Sequence, residues 1–514
     1  MSHDSGIGSI ADIPRIWGSL TPDKVALVEA RRAVTYGELD ERSNRIANAI
    51  IAAGVRPGSH IGYLGKNSVA FYEIWMGVTK AGCALCPLNW RGPAVELAGL
   101  VHDAKLPMIF VGPGFAGLAV DVRRLVAVLL DLVKEEKLVD WLADADCADP
   151  GVPVAGHRTA LLAYTSGTTG TPKGVQITHA AFANWFRFAA SEPAPQWSAD
   201  DVGLMTMPNF HLAGTWVTLP ALYHGATLAI LPAFDPDDFV QAVGTYRPTV
   251  ACLVPTAIQL LLDHRSSRSC DFSSLRRLLY AGSPIGIETL RRAIAVFGCD
   301  LVQFYGTTET YIITLLRPEQ HRPDDPRLLT SCGKPMPMVE LRVVSPDGRD
   351  VATGVVGEVL VRSPWMFTSY WNKPHATAAA IVDGWYHTGD VGTLDENGNL
   401  YLVDRLKDMI VSGGENVYSA EVERALAGHP GVAEVAVVGA PDEKWGERVV
   451  AFVVQRPVAS VTAADLVAHC RRQIAGYKVP KAIHFVPALP STASGKVRKA
   501  VLRQRLLEAA GVTG

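Results

Sequence analysis

A chain of 514 residues, 48% of them hydrophobic, is too long for a single core and has apolar material for two or more domains. Its net charge of -3 supplies no basic field, which argues against nucleic acid and against polybasic membrane anchoring, and leaves small molecules as the expected partners. Of the eight cysteines only Cys83 and Cys86 form a C-x-x-C, within the apolar run GCALCPLN, so core packing is expected there rather than a zinc site.

The first residues, MSHDSGIGSIADIPRI, lack a cationic start, an apolar stretch and a cleavage site, so cytoplasmic residence is expected. In TYGEL, Thr35 and Glu38 predict a capping box ahead of a helix whose Leu39, Ile46, Ala47 and Ile50 share one face. HIGYLG then reads as a strand and SVAFYEIWMGVTKAG as a helix ending at Gly82, the rhythm of a mostly parallel, helix-wrapped sheet. PMIFVGPGFAG carries G-x-G-x-x-G at Gly112, Gly114 and Gly117, with Asp131 near the spacing of a dinucleotide fingerprint. It keeps an NAD-dependent oxidoreductase as a minor alternative, weakened by Pro113, which removes a backbone donor from the loop.

YTSGTTGTPKG, residues 164–174, crowds three glycines, four threonines and Lys173 behind the apolar run ALLAY. Glycines let successive N–H groups converge on an anion, hydroxyls add donors and the lysine adds a cation, so a polyphosphate is the expected ligand. The order differs from a Walker A loop, because Lys173 lies between Pro172 and Gly174. Residues 202–234 contain no Asp, Glu, Lys or Arg, but Pro208, Pro220 and Pro232 divide them into pieces too short to span a bilayer, predicting a buried helix and strand around a cavity. Residues 341–405 show short alternating runs with the hairpin signals SPDGRD and DENGN. The remainder mixes strands such as AEVAVVG with helices such as SAEVERALAG, which places a domain boundary at 404/405, giving domains 1–404 and 405–514.

YTSGTTGTPKG, PNFHLAG (208–214), YGTTE (305–309), WYHTGD (385–390), DRLKDMIVSGGENVYSAEVE (404–423) and PSTASGKVRK (490–499) occur in this order. In this the chain resembles the adenylate-forming superfamily, which holds acyl-CoA synthetases, beetle luciferases and peptide-synthetase adenylation domains. The resemblance runs from about Thr21 to the end and implies an α/β fold: a large multi-subdomain N-terminal domain of mostly parallel, helix-wrapped sheets plus an antiparallel portion, and a small mobile α+β C-terminal domain. It also implies activation of a carboxylic acid by ATP, with loss of pyrophosphate and then displacement of AMP by a thiol.

The same resemblance assigns candidate residues. Thr165, Ser166, Gly167, Thr168, Thr169, Gly170 and Lys173 would hold phosphates; Gly282, Ser283, Tyr305, Gly306 and Thr307 would line the base and its surroundings. Thr308 would donate to a phosphate and Glu309 would take Mg2+, a hard cation suited to carboxylate oxygen. Asp390 would accept the ribose hydroxyls with Arg405 nearby. His211 would stand beside the acyl pocket with Ala213 and Gly214. Lys407 would be the hinge, Gly413 and Gly414 would leave room for coenzyme A, and Lys496 would meet the carboxylate and the α-phosphate. Ser491, Ser419 and YAGSP depart from the usual pattern, the last bearing on substrate preference. The absence of aspartate in NFHLAG argues against amino acids, and no carrier segment follows Lys496, so CoA is the expected acceptor. The expected substrate is a medium- or long-chain fatty acid; the alternative is an aromatic acid of the benzoate or cinnamate type, with an acyl-AMP ligase as a further, lesser reading. A homodimer is compatible with the sequence.

Overall fold

The computed structural model describes residues 6–30, 32–125, 131–165, 172–189, 192–456, 461–491 and 497–509. The chain forms two compact units, Met1–Glu340 with Val361–Tyr386, and Leu341–Leu360 with His387–Gly514.

Local chemistry sets the helix starts in the first unit. The Thr35 hydroxyl accepts from the Glu38 amide at 3.2 Å and the Glu38 carboxylate accepts from the Thr35 amide at 2.9 Å, which completes the capping box ahead of Tyr36–Ala52. Ser68 caps Val69–Lys80. That helix is buried all round, so its terminal cation needs partners: Lys80 Nζ donates to Asp40 Oδ1 at 2.5 Å and to Asn44 Oδ1 at 2.6 Å.

Two sheets organise this unit. The nine-stranded one runs Lys334–Pro335, Tyr311–Leu316, Asp300–Thr307, Arg277–Ala281, Val250–Leu253, Val202–Met205, Thr227–Ile230, Val25–Glu29 and Arg32–Thr35. Its six inner strands, from Asp300–Thr307 to Val25–Glu29, are parallel; strands such as VACL and RLLYA are apolar along nearly their whole length because helices cover both faces. The seven-stranded sheet runs Ser369–Tyr370, Lys173–Thr178, Thr159–Thr165, Ala84–Pro87, His60–Leu64, Met108–Val111 and Asp131–Lys134, with its last five strands parallel. A hydrophobic cluster holding Trp75, Trp185, Trp365, Tyr36 and Phe182 fills this unit.

Residues 202–234 form the strand Val202–Met205, a short turn of helix, the helix Thr215–Tyr223 and the strand Thr227–Ile230; contrary to expectation Pro220 does not divide the segment but lies inside the helix. No helix among the described residues is long and apolar enough to cross a membrane. Cys83 and Cys86 are buried at the strand Ala84–Pro87, and burial pushes the Cys83 thiol up to about 12, consistent with packing.

Between residues 340 and 405 a further sheet takes the order Glu340–Val344, Gly357–Arg362, Trp385–Leu394 and Ile381–Val382, with Leu400–Arg405 pairing antiparallel to Trp385–Leu394. Beyond it the long hairpin of Val432–Asp442 and Gly446–Gln455 presents alternate residues to two cores. Val437, Val449 and Val453 pack with the helices Ser419–Ala427 and Ala463–Arg471, while Val438, Val450 and Phe452 pack with Leu489 and Leu502.

Candidate active site

The segments singled out in the first unit converge on one end of the nine-stranded sheet. PNFHLAG follows Val202–Met205, Gly282 and Ser283 follow Arg277–Ala281, and Tyr305 to Glu309 close Asp300–Thr307. All are carboxyl ends of parallel strands, and Ala281 pairs with Phe304, so Gly282 and Tyr305 leave neighbouring strands at the same level. Tyr305 is buried, whereas Gly282 and Ser283 are exposed, and Gly282 has φ +93, a conformation that suits glycine.

The YGTTE turn is folded tightly by its own chemistry. The pairing of Asp300–Thr307 with Tyr311–Leu316 shifts register between Tyr305 and Gly306, and this bulge brings the backbone of Tyr311 against Gly306. The Thr307 amide donates to the Thr310 hydroxyl at 2.9 Å, and the Thr310 amide returns a bond to the Thr307 hydroxyl at 3.2 Å. Glu309 then leaves the turn with its main chain fixed by the Phe367 amide at 2.7 Å and its carboxylate by the Tyr370 hydroxyl at 2.8 Å. Burial and the charge of Glu309 push the Tyr370 phenol up, so it remains a proton donor. Glu309 is the carboxylate at this turn, with Thr307 and Thr308 as adjoining hydroxyls; Mg2+ commonly takes one or two carboxylates plus substrate phosphates, so this donor set fits that ion.

The two strands that flank the glycine-rich segment pair with each other. Thr159–Thr165 and Lys173–Thr178 pair antiparallel, with Thr165 opposite Lys173, so the lysine belongs to a strand. Its ammonium lies 5.0 Å from the centre of the Tyr370 ring. Ser166, Gly167, Thr168, Thr169 and Gly170 lie outside the described residues. The root of the hairpin is braced by Tyr164, which donates to Asp103 at 2.5 Å, while the Trp371 indole donates to the Asp103 carbonyl at 2.9 Å.

PNFHLAG is pinned from below by Asn67. This buried amide donates to the carbonyls of Met207 and Leu231, both at 3.0 Å, and accepts from the Asn209 amide at 3.0 Å. His211 follows, half-buried, its ring 4.6 Å from that of Phe210. Ala213 and Gly214 form the short helical turn Leu212–Gly214, and a Cβ on Gly214 would press the Pro208 carbonyl at 2.8 Å. The next residue, Thr215, bonds the Tyr311 hydroxyl at 3.0 Å. Tyr311 is held at φ +58, an unfavourable value for a bulky residue, with Trp185 at 5.0 Å and Phe182 at 5.9 Å packed edge-on. Thr215 thus joins the helix after the loop to a buried aromatic cluster.

In the second unit Asp390 is buried and opposes Arg405 across the antiparallel pair, with Arg405 Nε 2.8 Å from Asp390 Oδ1. Lys407 lies in the turn Leu406–Asp408, which Arg503 clasps through the Lys407 carbonyl at 3.3 Å and Asp408 at 2.7 Å. Gly413 and Gly414, at φ +64 and +83, make the two-residue turn joining Ile410–Ser412 to Glu415–Val417. Gly413 also lies under Trp445, whose ring a Cβ would meet at 2.8 Å, so turn geometry and close packing each require glycine there. Lys496 lies outside the described residues.

Sequence reasoning missed Tyr370 and Asn67. Tyr370 and Glu309 are 61 residues apart, and no spacing rule connects a tyrosine in TSYWNKP to a glutamate in YGTTE. The dinucleotide fingerprint fails for a geometrical reason. Gly112 follows the carboxyl end of Met108–Val111, but Asp131 pairs with Met108 and so enters its strand at the opposite end.

Motifs gathered at the carboxyl ends of parallel strands, beside a hydroxyl- and lysine-bearing hairpin, define an adenylate-forming α/β enzyme. Residues 15–371 match the family profile described as AMP-binding enzyme, and residues 421–496 match that of the AMP-binding enzyme C-terminal domain. The chain belongs to the AMP-binding enzyme family. It is 39% identical to an indoleacetate–CoA ligase of Aromatoleum aromaticum, covering 94% of this chain and 96% of that one. It is 38% identical to the fatty acid–[acyl-carrier-protein] ligase ScoC of Streptomyces coeruleorubidus, covering 94% of each. Among solved structures, the anthranilate CoA ligase AuaEII in complex with anthranoyl-AMP superposes with a TM-score of 0.89 at 26% identity, over 98% of both chains.

Proposed function

We propose that this protein is an ATP-dependent carboxylic acid:CoA ligase that forms an acyl-adenylate and pyrophosphate, then an acyl-CoA and AMP. A carboxylate repels nucleophiles and holds a poor leaving group; adenylation removes both faults. The observation that carries the reading is the gathering of PNFHLAG, YAGSP and YGTTE at the carboxyl ends of parallel strands of one sheet, YAGSP and YGTTE on adjacent strands and PNFHLAG one strand further along, beyond Val250–Leu253.

In this reading Lys173 and the residues of its hairpin hold phosphates, with Thr308 donating to one of them. Tyr305, Gly282 and Ser283 receive the base, and Asp390, oriented by Arg405, receives the ribose. Mg2+ bound at Glu309 would supply neutralisation of phosphate charge. Lys496 brings an ammonium to the carboxylate and α-phosphate during adenylation, on a segment, 405–514, that turns about Lys407. A cation about 4 Å from developing charge at an effective dielectric near 20 contributes roughly 4 kcal/mol, about a thousandfold in rate. Lys496→Ala is accordingly expected to slow pyrophosphate release by about that factor, while thiolysis of a supplied acyl-adenylate stays near the parent rate. Equal adenylation rates in the two proteins would remove the lysine from the mechanism.

The sequence favours a medium- or long-chain fatty acid, and the charge-free stretch 202–234 supports an apolar acid of some kind. A second reading, an aromatic acid of the benzoate or cinnamate type, is supported by the small side chains of Ala213 and Gly214, which also admit a flat ring, and by the likeness to an indoleacetate–CoA ligase. Pyrophosphate release is to be measured over aliphatic acids of increasing length and over benzoate, cinnamate and arylacetate types, with and without CoA. A thioester formed from at least one acid is the expected result. Turnover that CoA never raises, or that needs an acyl-carrier protein instead, would overturn the CoA assignment.

A further inference from the structure

Lys173 and Glu309 come from different sheets, so something must fix the distance between them. Segment 367–371 does so through its backbone. Phe367 donates its amide to the Glu309 carbonyl at 2.7 Å, on the nine-stranded sheet. Three residues later Tyr370 pairs with Val175 at the edge of the seven-stranded sheet, and Trp371 donates to the Gly174 carbonyl at 2.8 Å. The Tyr370 side chain repeats this bridge. Its hydroxyl donates to Glu309 Oε1 at 2.8 Å, and its ring faces the Lys173 ammonium at 5.0 Å.

The side chain that carries that hydroxyl is held by packing. The ring of Phe367, which packs edge-on against Tyr386 at 5.4 Å, stands 4.9 Å from that of Tyr370. Tyr370 is buried, and its amide is tied to Thr377 at 3.0 Å, so its rotamer has little freedom. A buried phenol needs only one acceptor. Here it takes the carboxylate of the nucleotide turn rather than a nearby carbonyl, while its ring is left to a cation.

We infer that Tyr370 is a positioning residue for ATP activation: its hydroxyl holds Glu309 in one rotamer and its ring holds Lys173, setting the spacing of carboxylate and ammonium around the nucleotide. This rests on the adenylation reading given above. Tyr370→Phe removes the hydroxyl and keeps the ring, so its thermal midpoint and its contact with Lys173 should survive. The Mg2+ concentration for half-maximal pyrophosphate release should rise about tenfold, the order expected for losing a hydrogen bond to a charged group. Mn2+ retention in the presence of α,β-methylene-ATP, read by electron paramagnetic resonance, should weaken by a similar factor, and thiolysis of a supplied acyl-adenylate should not change. Tyr370→Leu, which removes the ring as well, should further raise the KM for ATP at saturating Mg2+. Parent-like Mg2+ dependence and Mn2+ retention in Tyr370→Phe would overturn the inference, as would a uniform loss of rate at every Mg2+ concentration. A parent protein that releases no pyrophosphate with any acid would instead fail the adenylation reading, and the Mn2+ comparison would still judge Tyr370.

Discussion

A Cβ on Gly306 would lie 1.7 Å from the carbonyl oxygen of Tyr311 and 2.8 Å from its carbonyl carbon, both backbone atoms of the neighbouring strand. No rotamer change relieves such an overlap, so the strand Tyr311–Leu316 would have to move. Gly306→Ala is expected to cost more than about 4 kcal/mol, in the range kept for gross steric failures, or to prevent soluble folding. Gly99, exposed on the helix Ala94–Ala104 with open space around it, is the control: Gly99→Ala should stabilise by up to about 1 kcal/mol. Urea denaturation of the two variants gives the comparison, and a mild Gly306→Ala would show that the bulge has room. At this scale the sequence exposed the residue but not its cause. Gly306 stands out within YGTTE, whereas the oxygen that forbids any side chain there belongs to a strand that first has to pair.

Among elements, the PNFHLAG loop shows how an irregular segment is given one shape. Residues 208–214 have no ladder of their own, and the Asn67 amide ties their start, through Met207 and Asn209, to the end of the strand Thr227–Ile230 at Leu231. Asn67→Ala leaves these buried groups without that partner and should destabilise by at least about 2 kcal/mol, since each unmet group costs roughly 1 to 3. The KM for the acid should rise more than the KM for ATP, because His211 and Ala213 lie on the released loop and Lys173 and Glu309 do not. Equal changes in both constants would show that Asn67 acts on the fold alone. Only the loop's candidacy for an acyl site was legible, from its motif. Its anchor was not, because an asparagine in GKNSVAF reads only as a turn residue until two distant strands are brought beside it.

For the molecule as a whole, burial of neutral histidines sets the response to acid. Desolvation lowers His179 and His321 to about 4, and half-buried His224 likewise. A folded pKa below the unfolded value means that their contribution is full above about pH 6.5 and is lost as pH falls toward 4. Glu135 works in the opposite sense. Burial raises its carboxyl to about 7 despite the hydrogen bond it accepts from Tyr63, so its contribution is full below about pH 4.5 and is lost as pH rises through 7. His60 is lowered in the same sense as these three histidines, and Glu73 and Glu423 are raised by burial in the same sense as Glu135; with the histidines taken as the larger group, the thermal midpoint is expected to fall between pH 7 and pH 5. Glu135→Gln removes one counterweight and should steepen that fall. A midpoint that rises toward pH 5 in the parent protein would contradict the assignment of neutral buried histidines.

The sequence by itself determined the elements, the family and the list of candidate groups, because caps, apolar periodicity and glycine-rich motifs are read over a few consecutive residues. The capping box at Thr35 and the strand–helix pieces of residues 202–234 follow from such short-range rules. Only the tertiary structure decided that Asp131 sits at the wrong end of its strand for a dinucleotide, and that one tyrosine serves both Lys173 and Glu309. Strand register and the meeting of two sheets depend on contacts between residues far apart in the chain. A hydroxyl, a ring and a carboxylate carry no mark in the sequence of the partners that burial will force upon them.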